Sequence, residues 1–283
     1  MNGQRITEFS RDGLTFDVVD TGPRAGTPVV LLHGFPQRAT SWASVSEILH
    51  AAGMRTLAPD QRGYSPRARP RSVRAYRINE LVADVAALID VIDQPVHVVG
   101  HDWGAMVAWG VAARHPDRVA SLTAVSVGHP QAFTRALRTR KQAKRSWYMG
   151  VFSIPVLAER LLSDPDGRAQ TALRKGGMTE EMLVRYRSEI VEDGALTGGL
   201  NWYRALPLSL RDPRPATVVP TTLVWSTRDA ALGRAQAEHT SEFVTGPYEF
   251  VVLEGVSHWI PDERPQELAA AIIDRVRSVT PAP

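Results

Sequence analysis

The sequence predicts an α/β protein built on a mostly parallel sheet, and three observations carry that prediction. Short apolar segments recur with helical patterns between them, the alternation stops near Gly128, and strand signals resume at Thr221. The expected strands are Ile6–Phe9, Leu14–Asp20, Val29–Leu32, Arg55–Ala58, Val96–Val99, Leu122–Ser126, Thr221–Trp225 and Phe250–Leu253. The first two should pair as a hairpin through Asp12-Gly13, and from Val29 the βαβα order calls for parallel strands with helices on both faces. The expected helices are Trp42–Ala52, Ile78–Ile92, Trp103–His115 and Arg264–Ser278. The second is amphipathic, with Ile78, Leu81, Val82, Val85, Leu88, Ile89 and Ile92 at helical spacing. From about His129 to Arg214 the pattern is helical but irregular, and it closes with Asp212-Pro213-Arg214-Pro215. The expected division is therefore a core of residues 1–128 and 215–283 with a helical insertion at 129–214.

At 283 residues the chain can bury one large core. It has no cysteine, which excludes disulfides, thiolate metal sites and a cysteine nucleophile. Met1-Asn2-Gly3-Gln4-Arg5 leads into a strand-like segment without an apolar signal region. The best apolar run, Leu81 to Ile92, is interrupted by Asp84 and Asp90 and is too short to span a bilayer. A cytoplasmic protein is expected. The formal net charge is +3, and two stretches hold much of the positive charge, Arg62–Arg77 and Arg135–Arg145. No nucleic-acid motif accompanies them, so they read as solvated loop and helix surface.

The most informative stretch is Gly100-His101-Asp102-Trp103-Gly104. Pro95–Val99 before it is apolar and strand-like; Ala105–Ala113 after it reads as a mostly buried helix. Paired glycines let a chain turn sharply from strand to helix, and the residue between them sits on a strained turn with its side chain exposed. In that context an acid could be no more than an N-cap. As a nucleophile it narrows the chemistry. Attack of a carboxylate on an acyl carbon gives an anhydride, whereas attack on a saturated carbon gives an alkyl ester that water can cleave. Asp102 therefore points to displacement at an sp³ carbon, by opening an epoxide or expelling a halide.

Together with this elbow, His33-Gly34-Phe35-Pro36, Asp60-Gln61-Arg62-Gly63-Tyr64-Ser65, Asn201-Trp202-Tyr203-Arg204, Asp229 and Gly255-Val256-Ser257-His258-Trp259 make the chain resemble the α/β-hydrolase superfamily over essentially its whole length. Within it, the resemblance is to epoxide hydrolases and the related haloalkane and haloacetate dehalogenases. It implies an α/β-hydrolase fold, an eight-stranded mostly parallel sheet with a helical cap inserted after the sixth strand. It also implies that Asp102 is the nucleophile, His258 the base that activates water and Asp229 the acid that orients His258, in the chain order known for this fold. Backbone N–H groups of Phe35 and Trp103 would form the oxyanion hole for the second half-reaction. His33 reads as a structural loop residue.

The leaving group separates the related activities. An opening epoxide becomes an alkoxide and needs a proton donor, whereas a halide needs only N–H groups around it. The resemblance puts the donor at Tyr203. Phe35 stands where haloalkane dehalogenases often carry a halide-binding Asn, and no arginine before Arg114 follows the nucleophile as in haloacetate dehalogenases. Epoxide hydrolases usually add a second cap tyrosine. Spacing back from Pro155 puts that position at Val151, with Tyr148 one helical turn away as a possible second donor.

The expected activity is hydrolysis of a small apolar epoxide by water, without cofactor, metal, nucleic acid or membrane. The expected apolar pocket comprises Phe35, Trp103, Trp147, Val151, Phe152 and Trp202. A haloalkane dehalogenase using the same three residues, with Trp103 as halide donor, is the alternative, and a non-catalytic ligand-binding protein is a more distant one. The sequence leaves monomer and homodimer open.

Overall fold

A computed structural model of the chain describes residues 4–209 and 212–279; the first three residues of the N-terminal segment read above lie outside the described residues. The strands are β1 (Glu8–Arg11), β2 (Leu14–Thr21), β3 (Thr27–Leu32), β4 (Met54–Pro59), β5 (Val96–His101), β6 (Val119–Val125), β7 (Thr221–Ser226) and β8 (Tyr248–Leu253). They form one sheet in the order β1-β2-β4-β3-β5-β6-β7-β8. β1 pairs antiparallel with β2 and β2 with β4, and every later pairing is parallel.

The β1–β2 hairpin turns at Asp12 and Gly13, whose φ angles are 50° and 74°. β1 starts two residues later than the apolar pattern suggests. The backbone N–H of Ile6 donates to the Asp20 carboxylate at 2.8 Å, so Ile6 is held by a side chain outside the ladder.

Helices α1 (Ala43–Ala51), α2 (Ile78–Ile92) and α3 (Trp103–Arg114) connect the first six strands. Between β6 and β7 come α4 (Pro130–Leu137), α5 (Arg140–Arg145), α6 (Trp147–Phe152), α7 (Leu157–Ser163), α8 (Arg168–Lys175), α9 (Glu180–Tyr186) and α10 (Leu196–Ala205). The chain ends with α11 (Arg234–Glu238), α12 (Ile260–Glu263) and α13 (Pro265–Arg277). The central strands are buried on both faces, as parallel strands between helix layers must be. On β3, Val30 and Leu32 join the core beneath α2 and α3, while Val29 and Leu31 join the opposite core with Val45 and Leu49 of α1 and Ile272 of α13.

The first basic stretch is not simply solvated surface. Arg62 is 4% exposed and grips Asp84 of α2 through two hydrogen bonds, both 2.7 Å. Arg11 reaches the same carboxylate at 2.9 Å. A buried carboxylate needs this compensation, which explains why an acid interrupts the apolar run of α2. Arg62 also fixes the loop after β4 as a seat for the inserted helices. Its carbonyl accepts the Trp202 indole N–H of α10 at 2.8 Å. At Gly198 a Cβ would lie 2.2 Å from the Gly63 carbonyl oxygen, so only glycine lets the two backbones approach this closely.

Candidate active site

β5 ends in the elbow. Asp102 adopts φ 52° and ψ −121°, a backbone conformation costly for a residue with a Cβ. The flanking glycines make the turn possible. A Cβ on Gly100 would lie 2.2 Å from the Gly104 oxygen, and one on Gly104 would lie 2.1 Å from the Leu32 oxygen. Asp102 Oδ1 accepts the Phe35 backbone N–H at 2.9 Å, and the Trp103 backbone N–H also bonds the carboxylate. Gly34 leaves the room this needs, since a Cβ there would come within 2.5 Å of Oδ1. Burial opposes ionisation of Asp102, but His258 and the Trp103 N–H outweigh it and hold the carboxyl below its ordinary range.

His258 follows β8 and is 7% exposed. Its Nδ1 lies 2.7 Å from Asp229 Oδ2, and its Nε2 lies 3.6 Å from Asp102 Oδ2. The other Asp229 oxygen accepts the backbone N–H groups of Ala231 and Leu232, both at 2.8 Å. Burial disfavours a charged imidazole, yet the charges of Asp229 and Asp102 prevail and raise His258 to about 10. A resting imidazolium thus sits between two carboxylates, donating Nδ1–H to Asp229 with Nε2–H turned to Asp102. Beneath it, buried His101 is pushed down to about 4 by desolvation and is neutral; its Nε2 lies 2.9 Å from the His258 carbonyl oxygen.

The insertion supplies the far wall. A cavity is bounded by Asp102 and Trp103 on the elbow side and by Tyr148 of α6 and Tyr203 of α10 on the other, with Met106, Val127 and Leu232 among its apolar lining. The Tyr148 and Tyr203 rings are 6.3 Å apart. Desolvation first, and then the Asp102 charge, push both phenols upward, so both keep their protons. The Trp103 side chain hydrogen-bonds the Tyr203 hydroxyl. Because an indole N–H only donates, the Tyr203 oxygen accepts and its own proton stays free for another partner.

Asp102, His258, Asp229, Tyr203, Tyr148 and the Phe35 and Trp103 backbones are therefore brought together. Phe152 packs 5.2 Å from the Tyr203 ring and 5.5 Å from Phe35, and the cavity lining takes in neither Phe152 nor Phe35, contrary to expectation, because the two rings pack on one another and on Tyr203. Three more expectations need correction. Val151 does not hold the inward position of α6; Tyr148 does, and with Phe152 it forms the inward i, i+4 pair. Trp147 is 68% exposed on the outer face of that helix and does not line the pocket. Trp202 points into the seat after β4 instead of the cavity, its N–H bonded to Arg62 and its ring 6.0 Å from Tyr64.

Sequence reasoning also missed a clamp. Gln142 of α5 is 3% exposed; its Nε2 donates to the Ala231 oxygen and its Oε1 accepts the Gly233 N–H, each at 2.8 Å. Arg145 donates to the Asp229 carbonyl oxygen at 2.5 Å. One short helix of the insertion thus fastens the loop that carries Asp229. A glutamine within a basic run gives no local sign of such a contact.

Residues 29–271 match the model of the alpha/beta hydrolase family. The chain is 33% identical to epoxide hydrolase A of Mycobacterium tuberculosis over 93% of this chain and 94% of that protein. It is 32% identical to the AB hydrolase superfamily protein YfhM of Bacillus subtilis over 98% of this chain and all of that one. The crystal structure of epoxide hydrolase A from Mycobacterium thermoresistibile is similar at a TM-score of 0.79 and 33% identity, covering 97% and 98% of the two chains. Potato epoxide hydrolase I is similar at a TM-score of 0.79 and 27% identity, covering 96% and 98%. An eight-stranded, mostly parallel sheet, the matching family model and relatives of this kind along nearly the full length lead to one conclusion: the chain belongs to the alpha/beta hydrolase family, in the branch of proteins named epoxide hydrolases.

Proposed function

We propose that this enzyme converts epoxides to vicinal diols in two steps at Asp102, with residues 129–214 acting as a cap over the core. In the first step an Asp102 oxygen attacks a ring carbon, the C–O bond breaks, and the departing oxygen takes a proton from Tyr203 or Tyr148. The product is an alkyl ester of Asp102. In the second step His258 removes a proton from water, the hydroxide attacks the ester carbonyl, and the C–O bond to Asp102 breaks to release the diol. The Phe35 and Trp103 N–H groups already bond the Asp102 carboxylate, so they face the oxygen on which charge builds.

Esterification itself turns His258 into a base. The imidazolium is stabilised by Asp229 and Asp102 together. Once Asp102 becomes a neutral ester, one of the two anions is gone and the proton is released more readily; it restores the tyrosinate left by ring opening, and His258 is then free to take the proton of water.

The observation that carries this proposal is the pair of protonated cap tyrosines lining the same cavity as Asp102, on the wall opposite it. A proton donor is worth ~10²–10⁴-fold to an alkoxide leaving group and nothing to a halide. The Trp103 side chain, which a dehalogenase would turn toward halide, is hydrogen-bonded to Tyr203. The substrate is a small, largely apolar epoxide, and its co-substrate is water. Among the described residues no helix is long and apolar enough to cross a membrane; we place the enzyme in the cytoplasm, which cell fractionation checks.

The test is a product assay. Wild type and Asp102→Ala are offered a styrene-oxide-type epoxide and a matched alkyl bromide. The proposal requires diol formation that depends on Asp102, with little bromide released. Bromide release outpacing diol formation would instead make the protein a dehalogenase.

A further inference from the structure

We propose that the outer face of α5–α6 and the turn into α7 is a docking surface for an anionic phospholipid bilayer. The observation begins with charge. Between Arg118 and Glu159 the chain has no acidic residue, yet it has six cations: Arg135, Arg138, Arg140, Lys141, Lys144 and Arg145. Arg135 is paired with Glu242, and Arg145 is spent on the Asp229 carbonyl. Arg138, Arg140, Lys141 and Lys144 are exposed, and no carboxylate pairs with them among the described residues. Solvated surface usually interleaves both signs; this face carries one.

The second observation is apolar. Immediately beyond these cations, Trp147 is 68% exposed, Ile154 47%, Val156 56% and Leu157 44%. Arg140, Lys144 and Trp147 recur at i, i+4 and i+7 along two nearly continuous short helices, which puts them on one outward side. An exposed tryptophan flanked by aliphatic side chains and rimmed by unpaired lysine and arginine fits the boundary between lipid headgroups and acyl chains. Basic residues provide attraction to anionic headgroups, and the indole provides the anchor.

The third observation joins this face to the reactive cavity. The inner side of α6 supplies Tyr148 and Met149 to the cavity wall, and the preceding helix α4 supplies Phe133 and Leu137. Beside them an open cleft lined by Arg135, Arg138 and Arg214, with Asp212, shares Thr134 and Arg214 with that wall. A bilayer seated here would present apolar epoxides, which partition into lipid, next to the cap. That last step rests on the proposed epoxide reading; the docking does not.

The probe is vesicles of phosphatidylcholine alone or with a third phosphatidylglycerol, assayed by flotation at low and at physiological salt. Binding should require phosphatidylglycerol, weaken as salt is raised, and shift Trp147 emission to shorter wavelength relative to Trp147→Phe. Each cation near an anionic surface is worth about fivefold in partitioning. Lys141→Glu/Lys144→Glu should therefore cut binding more than tenfold, and Trp147→Ala should weaken it too. Both variants should keep wild-type turnover of a water-soluble epoxide without vesicles, which shows that they fold. With an epoxide dissolved in phosphatidylglycerol vesicles, only wild type should be accelerated. Absence of binding at low salt, or binding indifferent to these substitutions, overturns the proposal. So does Trp147-dependent self-association without vesicle binding, or retention on RNA in place of vesicles. Loss of all epoxide turnover with vesicle binding intact would instead overturn the activity assigned above.

Discussion

Removing the two cap hydroxyls, singly and together, probes the ring-opening step most closely. Tyr203 and Tyr148 face Asp102 across one cavity, but they are not equivalent. Tyr203 accepts a hydrogen bond from the Trp103 side chain, which stabilises the phenolate left after proton transfer, and among the described residues no such contact supports Tyr148. On that ground Tyr203 is assigned the larger share of proton donation. A general acid contributes ~10²–10⁴-fold. With the partner tyrosine in place, Tyr203→Phe should slow ester formation by roughly 10²-fold, the low end of that range, and Tyr148→Phe by roughly tenfold, below it because Tyr203 still donates. The double variant should approach roughly 10⁴-fold, its full extent. Tyr203→Phe also leaves a buried indole N–H without its acceptor, at about 1–3 kcal/mol of stability, which thermal denaturation would register. Because Trp103 lines the same cavity as Asp102, stopped-flow tryptophan fluorescence on an excess of epoxide follows ester formation directly. If the double variant forms ester within threefold of the wild-type rate, neither tyrosine is the proton donor.

The charge on His258 makes a pH prediction with a definite sign. Its folded value of about 10 exceeds the ordinary 6.5 because Asp229 and Asp102 favour the cation despite burial. The resulting stability is fully present below 6.5 and is lost as pH rises through about 10. Asp102→Asn, which imitates the neutral ester, should lower the His258 value, and NMR titration of the two proteins measures the difference; a wild-type His258 titrating at or below 6.5 contradicts it. The Gln142 clamp predicts a positioning effect. Gln142→Ala should reduce ester hydrolysis more than ester formation and shift the acid limb of kcat, with Gln142→Asn restoring little because its side chain is one methylene too short to span Ala231 and Gly233. Single-turnover and pH-rate measurements separate that outcome from uniform destabilisation.

Most of the frame was legible because its signals are local. The long amphipathic pattern of α2 reproduces its observed ends, Ile78 and Ile92, and the glycines on either side of Asp102 mark two positions with no room for a side chain. Asp229 and His258 could be placed because each follows a clear apolar strand. The cap was less legible. α6 has six residues, fewer than two turns, so its apolar pattern cannot tell the inward Tyr148 and Phe152 from the outward Trp147. Hydrophobicity misleads at Trp147 for the same reason. The Arg62–Asp84 pair and the Gln142 clamp join residues 22 and 89 apart in sequence. Contacts at that separation leave no trace in a window of neighbouring residues.

The central claim is that Asp102 becomes covalently alkylated. His258→Gln should stop ester hydrolysis while leaving Asp102 able to attack. Intact-protein mass spectrometry of that variant after incubation with an epoxide should reveal an increase equal to the mass of the epoxide. Peptide mapping should then place the added mass on the segment containing Asp102. An unmodified His258→Gln protein that has consumed no epoxide, or a label on any other residue, would contradict the two-step route.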